Sequence, residues 1–322
     1  MTNKDYCKNI GSCLSFHQEN IRFCTTLKLG PILSEYKESD KELIEKIVAL
    51  RDKYNNDLKN DLIYQGCKDC IYADKTPVVS NKISRIDLFY WYHCNCGCVY
   101  CSYRDVTKGE FSDKVKPGKP VIYKIIKELY AQDKIDKESL LVIWGGGEIT
   151  MLEEYPKMID LFLKNNVGFI SSESSGIKYS PTIEKILKQR KGSITVAVSA
   201  GSPETYYKIK RRDKYNQVIE NLKKYAKFDK ANARVISKYI ILDKLNNNEE
   251  EIEKWLLTAK KINLKKVEIS TEFCWGQTLK KGQKIEDYNY RLFDYVEKRC
   301  KELDLILYKN ETSLAMMENG IY

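Results

Sequence analysis

From residue 83 onward, short apolar runs alternate with longer stretches whose apolar residues recur every three or four positions. That alternation predicts strands joined by helices in a parallel α/β sheet. Strands are expected at 86–91, 140–144, 167–171, 194–199, 235–242 and 266–270. Helices are expected at 121–131, 152–163, 183–188, from Pro203 to about residue 225, and at 249–262. A last helix near 288–302 and a short run at 305–308 complete the pattern. Six βα units are too few for a closed eightfold barrel and suit a partial barrel open on one side. Residues 1–80 read differently. Asp40 caps a helix whose apolar face includes Leu43, Ile44 and Ile47, with cysteines on either side of it. The expected division is a small cysteine-containing module at 1–80, a barrel at 81–275 and a helical extension at 276–322.

Composition narrows the class. At 322 residues and 43% hydrophobic content the chain can bury a large core. No apolar run approaches the roughly 18 residues of a membrane span. Residues 1–20 are largely polar, unlike a secretory leader, so the expectation is a cytoplasmic protein from an oxygen-poor setting. In that compartment eleven cysteines point to metal or catalytic chemistry before disulfides. The net charge is +10. Residues 1–80 hold 12 basic and 12 acidic side chains, so the excess lies in 81–322, much of it between Lys208 and Lys238. A basic face suits phosphate, in nucleic acid or a nucleotide-linked sugar. A solvated lysine-rich surface is the plainer reading. With no aromatic-interleaved motif beside it, nucleic acid is not expected as a partner.

The first expected strand leads into Cys94, Cys98 and Cys101, spaced CxxxCxxC. Thiolates select iron–sulfur, zinc or copper. A four-iron cluster normally takes four cysteines, so three leave one iron open to another ligand. The other reading is a zinc knuckle with Cys96 as fourth donor, although zinc sites favour paired CxxC arms. The second strand ends in Trp144-Gly145-Gly146-Gly147-Glu148, where glycines let a ligand approach the backbone. Hydroxyls follow the third and fourth strands, at Ser174 and Ser199. Lys238 sits inside the fifth, aimed either into the barrel or outward to solvent.

Over roughly residues 83–271 these motifs resemble the radical S-adenosylmethionine (radical SAM) superfamily. The resemblance implies a [4Fe-4S] cluster on Cys94, Cys98 and Cys101, its open iron chelated by the amino acid end of SAM. Gly146, Gly147 and Glu148 match the superfamily's GGE motif, which binds the SAM amino group. Tyr100 corresponds to an aromatic near adenine. Ser174 and Ser199 become ribose or carboxylate contacts, and Lys210 a second candidate for the carboxylate. Reduced by a donor such as flavodoxin or ferredoxin, the cluster would split SAM into methionine and a 5′-deoxyadenosyl radical that takes a hydrogen atom from the substrate. That substrate is a sugar, nucleotide-linked ones included, or a peptide, and epimerisation is one outcome. Cys274, after the sixth strand, is then either a hydrogen-atom donor or a buried structural thiol. Cys13, Cys24, Cys67 and Cys70 suggest an auxiliary [4Fe-4S] cluster or a structural zinc, though auxiliary clusters of the superfamily commonly follow the barrel. A zinc- or cluster-bearing RNA-binding protein is the non-enzyme alternative. It leaves the glycine–glutamate motif unexplained.

Overall fold

A computed structural model describes residues 6–7, 12–23, 32–35, 40–59, 73–74, 82–101, 112–229, 233–271 and 287–309. The amino-terminal elements are β1 (Tyr6–Cys7), β2 (Cys13–His17), β3 (Asn20–Arg22), β4 (Ile32–Glu35), α1 (Asp40–Lys59) and β5 (Ala73–Asp74). The alternation then begins with β6 (Arg85–Phe89), α2 (Pro120–Ala131), β7 (Leu141–Trp144), α3 (Tyr155–Lys164) and β8 (Phe169–Ser174). It continues through α4 (Pro181–Lys188), β9 (Gly192–Ala197), α5 (Pro203–Lys210), α6 (Tyr215–Ala226) and β10 (Val235–Ile241). It ends with α7 (Glu249–Lys261), β11 (Lys266–Thr271), α8 (Asp287–Glu302) and β12 (Ile306–Lys309). The chain packs as two compact units, residues 1–92 with 115–171, and 93–114 with 172–322. Among the described residues no helix is long and apolar enough to cross a membrane.

In the first unit β7, β6 and β2 run parallel, and β3 and β4 follow antiparallel. Cys13 stands opposite Arg85, and His17 opposite Phe89. Residues 13–22 therefore belong to the same sheet as β6 and not to a module of their own. The reason is burial: Leu14, Phe16 and Ile21 are fully buried and extend the apolar face formed by Ile86, Leu88, Val142 and Trp144. Trp144 meets Tyr155 of α3 edge-on, with ring centroids 4.9 Å apart. The opposite face of β2 and β6 is polar. There Asp87 accepts from Arg85 at 3.0 Å and from the Cys13 thiol at 3.6 Å. Burial pushes the Asp87 carboxyl up, and Arg85 offsets this only in part.

In the second unit the last residues of β8, then β9, β10, β11 and β12, lie side by side, the pairs from β9 to β12 all parallel. β10 shows which face the helices cover. Tyr239 packs on Trp255 of α7 at 4.9 Å, and the Trp255 indole donates to Ser237 at 2.8 Å. Strand side chains alternate, so Ile236, Lys238 and Ile240 point to the face opposite α7. Each buried aliphatic on α7, such as Ile252 or Leu256, contributes roughly 1.5–3 kcal/mol. Asn248 caps α7 by accepting from the Glu251 amide at 2.9 Å. The helical stretch expected from Pro203 to about residue 225 divides in two, because Arg211 takes a left-handed conformation at φ 56° and ends α5. The expected helical extension at 276–322 instead continues the alternation, since β12 pairs in parallel with β11.

Candidate active site

The cysteine loop follows β6 and is held by the end of another element. Gly97 and Val99 donate their amides to the carbonyls of Lys210 and Ile209, at 2.9 and 3.0 Å. Those are last-turn carbonyls of α5, which have no partner within their own helix. Arg212 donates to the Asn95 carbonyl at 2.7 Å, and Ser175 to the Asn95 side chain at 3.0 Å. Asn95 is 1% exposed. Cys98 and Cys101 close a tight turn, with the Cys101 amide on the Cys98 carbonyl at 3.2 Å. The Cys96 amide points at the Cys94 sulfur, 3.3 Å away. Four attachments thus fix the spacing of three thiols.

Beside the loop lies a buried cation. Lys210, 2% exposed, donates to the Tyr100 hydroxyl at 2.5 Å, its ammonium 4.9 Å from the ring centroid. Burial opposes its charge, but Cys98 and Tyr100 outweigh burial and hold the ammonium above its usual range. The Cys98 thiol is lowered to about 6, first by a hydrogen bond from Cys96, against burial and with help from Lys210. Ser199 joins the same group through the Tyr100 oxygen. Its backbone is left-handed at φ 57°, a strain of about 1–3 kcal/mol for a residue other than glycine. Asn246 offsets it, donating to the Ser199 carbonyl at 2.7 Å and accepting from the Leu242 amide at 2.7 Å.

The glycine turn belongs to the first unit. Gly146 has φ 101°, and a Cβ there would stand 2.7 Å from the Trp91 carbonyl oxygen. The Gly147 amide donates to that same oxygen at 2.6 Å, and the Trp91 indole returns a bond to the Glu148 carbonyl at 3.1 Å. The Glu148 carboxylate accepts from the amide and hydroxyl of Thr150, at 3.0 and 2.6 Å. Trp91 lies three residues before Cys94 in the chain. Gly146→Ala should cost about 1–3 kcal/mol, read as a lower denaturation midpoint. An unchanged midpoint would mean that the turn relaxes without strain.

The sequence profile of the Radical SAM superfamily matches residues 89–256, more than half of the chain. The chain belongs to the radical SAM superfamily. No curated protein matches it. Among solved structures, Streptococcus suis SuiB bound to S-adenosylmethionine superposes with a TM-score of 0.53 at 11% identity, covering 86% of this chain and 57% of that one. SuiB bound to the precursor peptide SuiA gives 0.52 at 11% identity, with coverages of 83% and 64%. Native anSMEcpe with bound AdoMet gives 0.50 at 15%, with coverages of 70% and 63%. This radical SAM chain thus spans less than two thirds of the length of those proteins. Its architecture is the expected α/β partial barrel.

The superfamily implies a [4Fe-4S] cluster and SAM. Among the described residues no three His, Cys, Asp or Glu side chains converge to hold a single metal ion. A four-iron cluster asks for something else, one thiolate on each of three separate irons. Three soft donors on one clamped loop, with Lys210 buried beside them to balance negative charge, fit that group. The positive φ of Gly146 lets the Trp91 carbonyl come close and accept the Gly147 amide, which fixes the glycine turn.

Of the expected SAM contacts, Tyr100, Ser199 and Lys210 gather around the cysteine loop in the second unit. Gly146, Gly147 and Glu148 stand in the first. The Ser174 hydroxyl accepts from the Gly176 amide at 3.0 Å and so also shapes its own turn. Cys24, Cys67, Cys70 and Cys274 lie outside the described residues. Asn95, Arg212 and Asn246 escaped the sequence reading. Arg212 belongs to the basic stretch between Lys208 and Lys238, in which Lys210 is interior rather than solvated.

Proposed function

We propose that this radical SAM enzyme takes a hydrogen atom from a peptide substrate. The carrying observation is the clamped CxxxCxxC loop with Lys210, Tyr100 and Ser199 beside it. Cys94, Cys98 and Cys101 would hold the cluster. Gly146, Gly147 and Glu148 receive the SAM amino group, Lys210 and Ser199 its carboxylate and ribose, and Tyr100 lines the adenine. Bound there, a reduced cluster would supply the electron for reductive cleavage of SAM, the chemistry from which hydrogen-atom abstraction follows. The chain's own part is to orient both reactants and keep water away. The electron comes from a small carrier such as flavodoxin or ferredoxin. Cys13, Cys24, Cys67 and Cys70 are proposed to hold an auxiliary cluster, for which Cys13 must give up its bond to Asp87. The peptide reading draws support from SuiB, whose structure with the precursor peptide SuiA shares this fold.

The test offers the reconstituted protein deuterated short peptides and, separately, deuterated sugars. Deuterium from the peptides should appear in the 5′-deoxyadenosine released. Deuterium from a labelled sugar and none from the peptide would overturn the substrate class.

A further inference from the structure

The face of the second unit's sheet opposite α7 carries charges that the chemistry above leaves unused. Lys238 of β10 and Glu268 of β11 are register partners, and the ammonium meets the carboxylate at 2.9 Å. Glu173, near the end of β8, also attracts Lys238. Burial works against the Lys238 charge, yet the two carboxylates more than offset it, so the ammonium is retained. In the same row β9 contributes only the methyl of Ala197, opposite Lys238, and β12 contributes Tyr308, opposite Glu268. Lys266, one pleat toward the amino ends of the strands, lays its ammonium over Tyr308, 5.1 Å from the ring centroid.

Fold stability gives no reason for this arrangement. A buried ion pair is often no better than apolar residues of the same volume, and the opposite face of the same strands is filled with such residues. The position does give a reason. The Lys238 carbonyl accepts the amides of Val198 and Ser199, at 3.0 and 3.1 Å. The charged row is therefore the immediate sheet neighbour of the residue assigned to SAM, where a substrate must lie to meet the radical.

We propose that Glu173, Lys238 and Glu268 form a substrate subsite for a cationic group, an ammonium or guanidinium carried by the peptide. The inference rests on the peptide reading above. Two carboxylates face the Lys238 ammonium while Lys266 is drawn onto the Tyr308 ring, so a second cation completes an alternating array, whereas an anion would meet two like charges. Lys238 is drawn toward β11, and on its other side stand Ala197 of β9 and then β8, which carries Glu173. A cation seated there is held by Glu173, while Lys238 and Glu268 fix the far wall.

The test titrates the anaerobically reconstituted protein, with SAM present, against four probes followed by ligand-observed NMR. They are N-acetyl methylamides of ornithine, arginine, norleucine and glutamate. The ornithine or arginine probe should bind about tenfold more tightly than norleucine, as one charge-assisted hydrogen bond allows, and glutamate least. Glu173→Gln, isosteric at an exposed position, should erase that preference. Equal binding of the basic and norleucine probes, tighter binding of glutamate, no binding of the basic probes, or a preference that survives Glu173→Gln would each overturn the subsite. Formation of 5′-deoxyadenosine by the unmodified protein without probe is measured alongside. Its absence counts against the proposed function, whereas intact cleavage with no cationic preference counts against the subsite alone.

Discussion

Alanine at Cys94, Cys98 and Cys101 together is expected to remove about four irons per chain and to end the formation of 5′-deoxyadenosine. The loop supplies all three donors, and its clamp to the end of α5 gives no substitute for them. Cys96→Ala should keep both iron and cleavage. Alanine retains the Cys96 amide that points at the Cys94 sulfur at 3.3 Å, and the Cys96 thiol's hydrogen bonds to Cys94 and Cys98 would be replaced by the bonds of those sulfurs to iron. Metal analysis and product chromatography on the two variants decide the matter. Cleavage that survives the triple change would refute the assignment. Iron that remains in the triple variant belongs to the proposed set of Cys13, Cys24, Cys67 and Cys70. Zinc in its place, or no metal, rejects an auxiliary cluster.

Lys210→Met carries the second large effect. The ammonium is buried, bonded to Tyr100 and close to Cys98. It has two further protons to donate, enough for the SAM carboxylate. Losing a hydrogen bond to a charged group should weaken SAM binding about ten- to a hundredfold. Equilibrium binding to reconstituted protein is the measurement, with iron content checked against the unmodified chain. Lys210→Arg should recover part of the affinity, because it keeps the charge and changes the geometry. Undiminished SAM binding by the methionine variant would remove Lys210 from the site.

The alternation of strands and helices was legible because each strand from β6 to β11 carries a short apolar run between amphipathic stretches. Strand ends moved by a few residues, since the apolar pattern continues past the last ladder bond at Tyr90 and Trp91. The cysteine and glycine motifs were legible because their chemistry is local in sequence. What escaped depends on contacts distant in sequence. β2 pairs with a strand some seventy residues later, and its five residues alone carry too little pattern to announce it. Nothing about Arg211 marks it as a left-handed helix end, a position where glycine is usual. Asn246 and Asn95 read as ordinary loop residues until Ser199 and Arg212 come beside them. The direction of Lys238 was open in the sequence, and the packing of Tyr239 on Trp255 fixes it.

The central claim is that this loop carries a reducible cluster that cleaves SAM. The most direct test is to reconstitute the full chain anaerobically with iron and sulfide, reduce it with dithionite and add SAM. The account predicts 5′-deoxyadenosine and methionine in equal amounts, dependent on both reductant and cluster. A chain that holds its cluster, is reduced, and leaves SAM intact would contradict it.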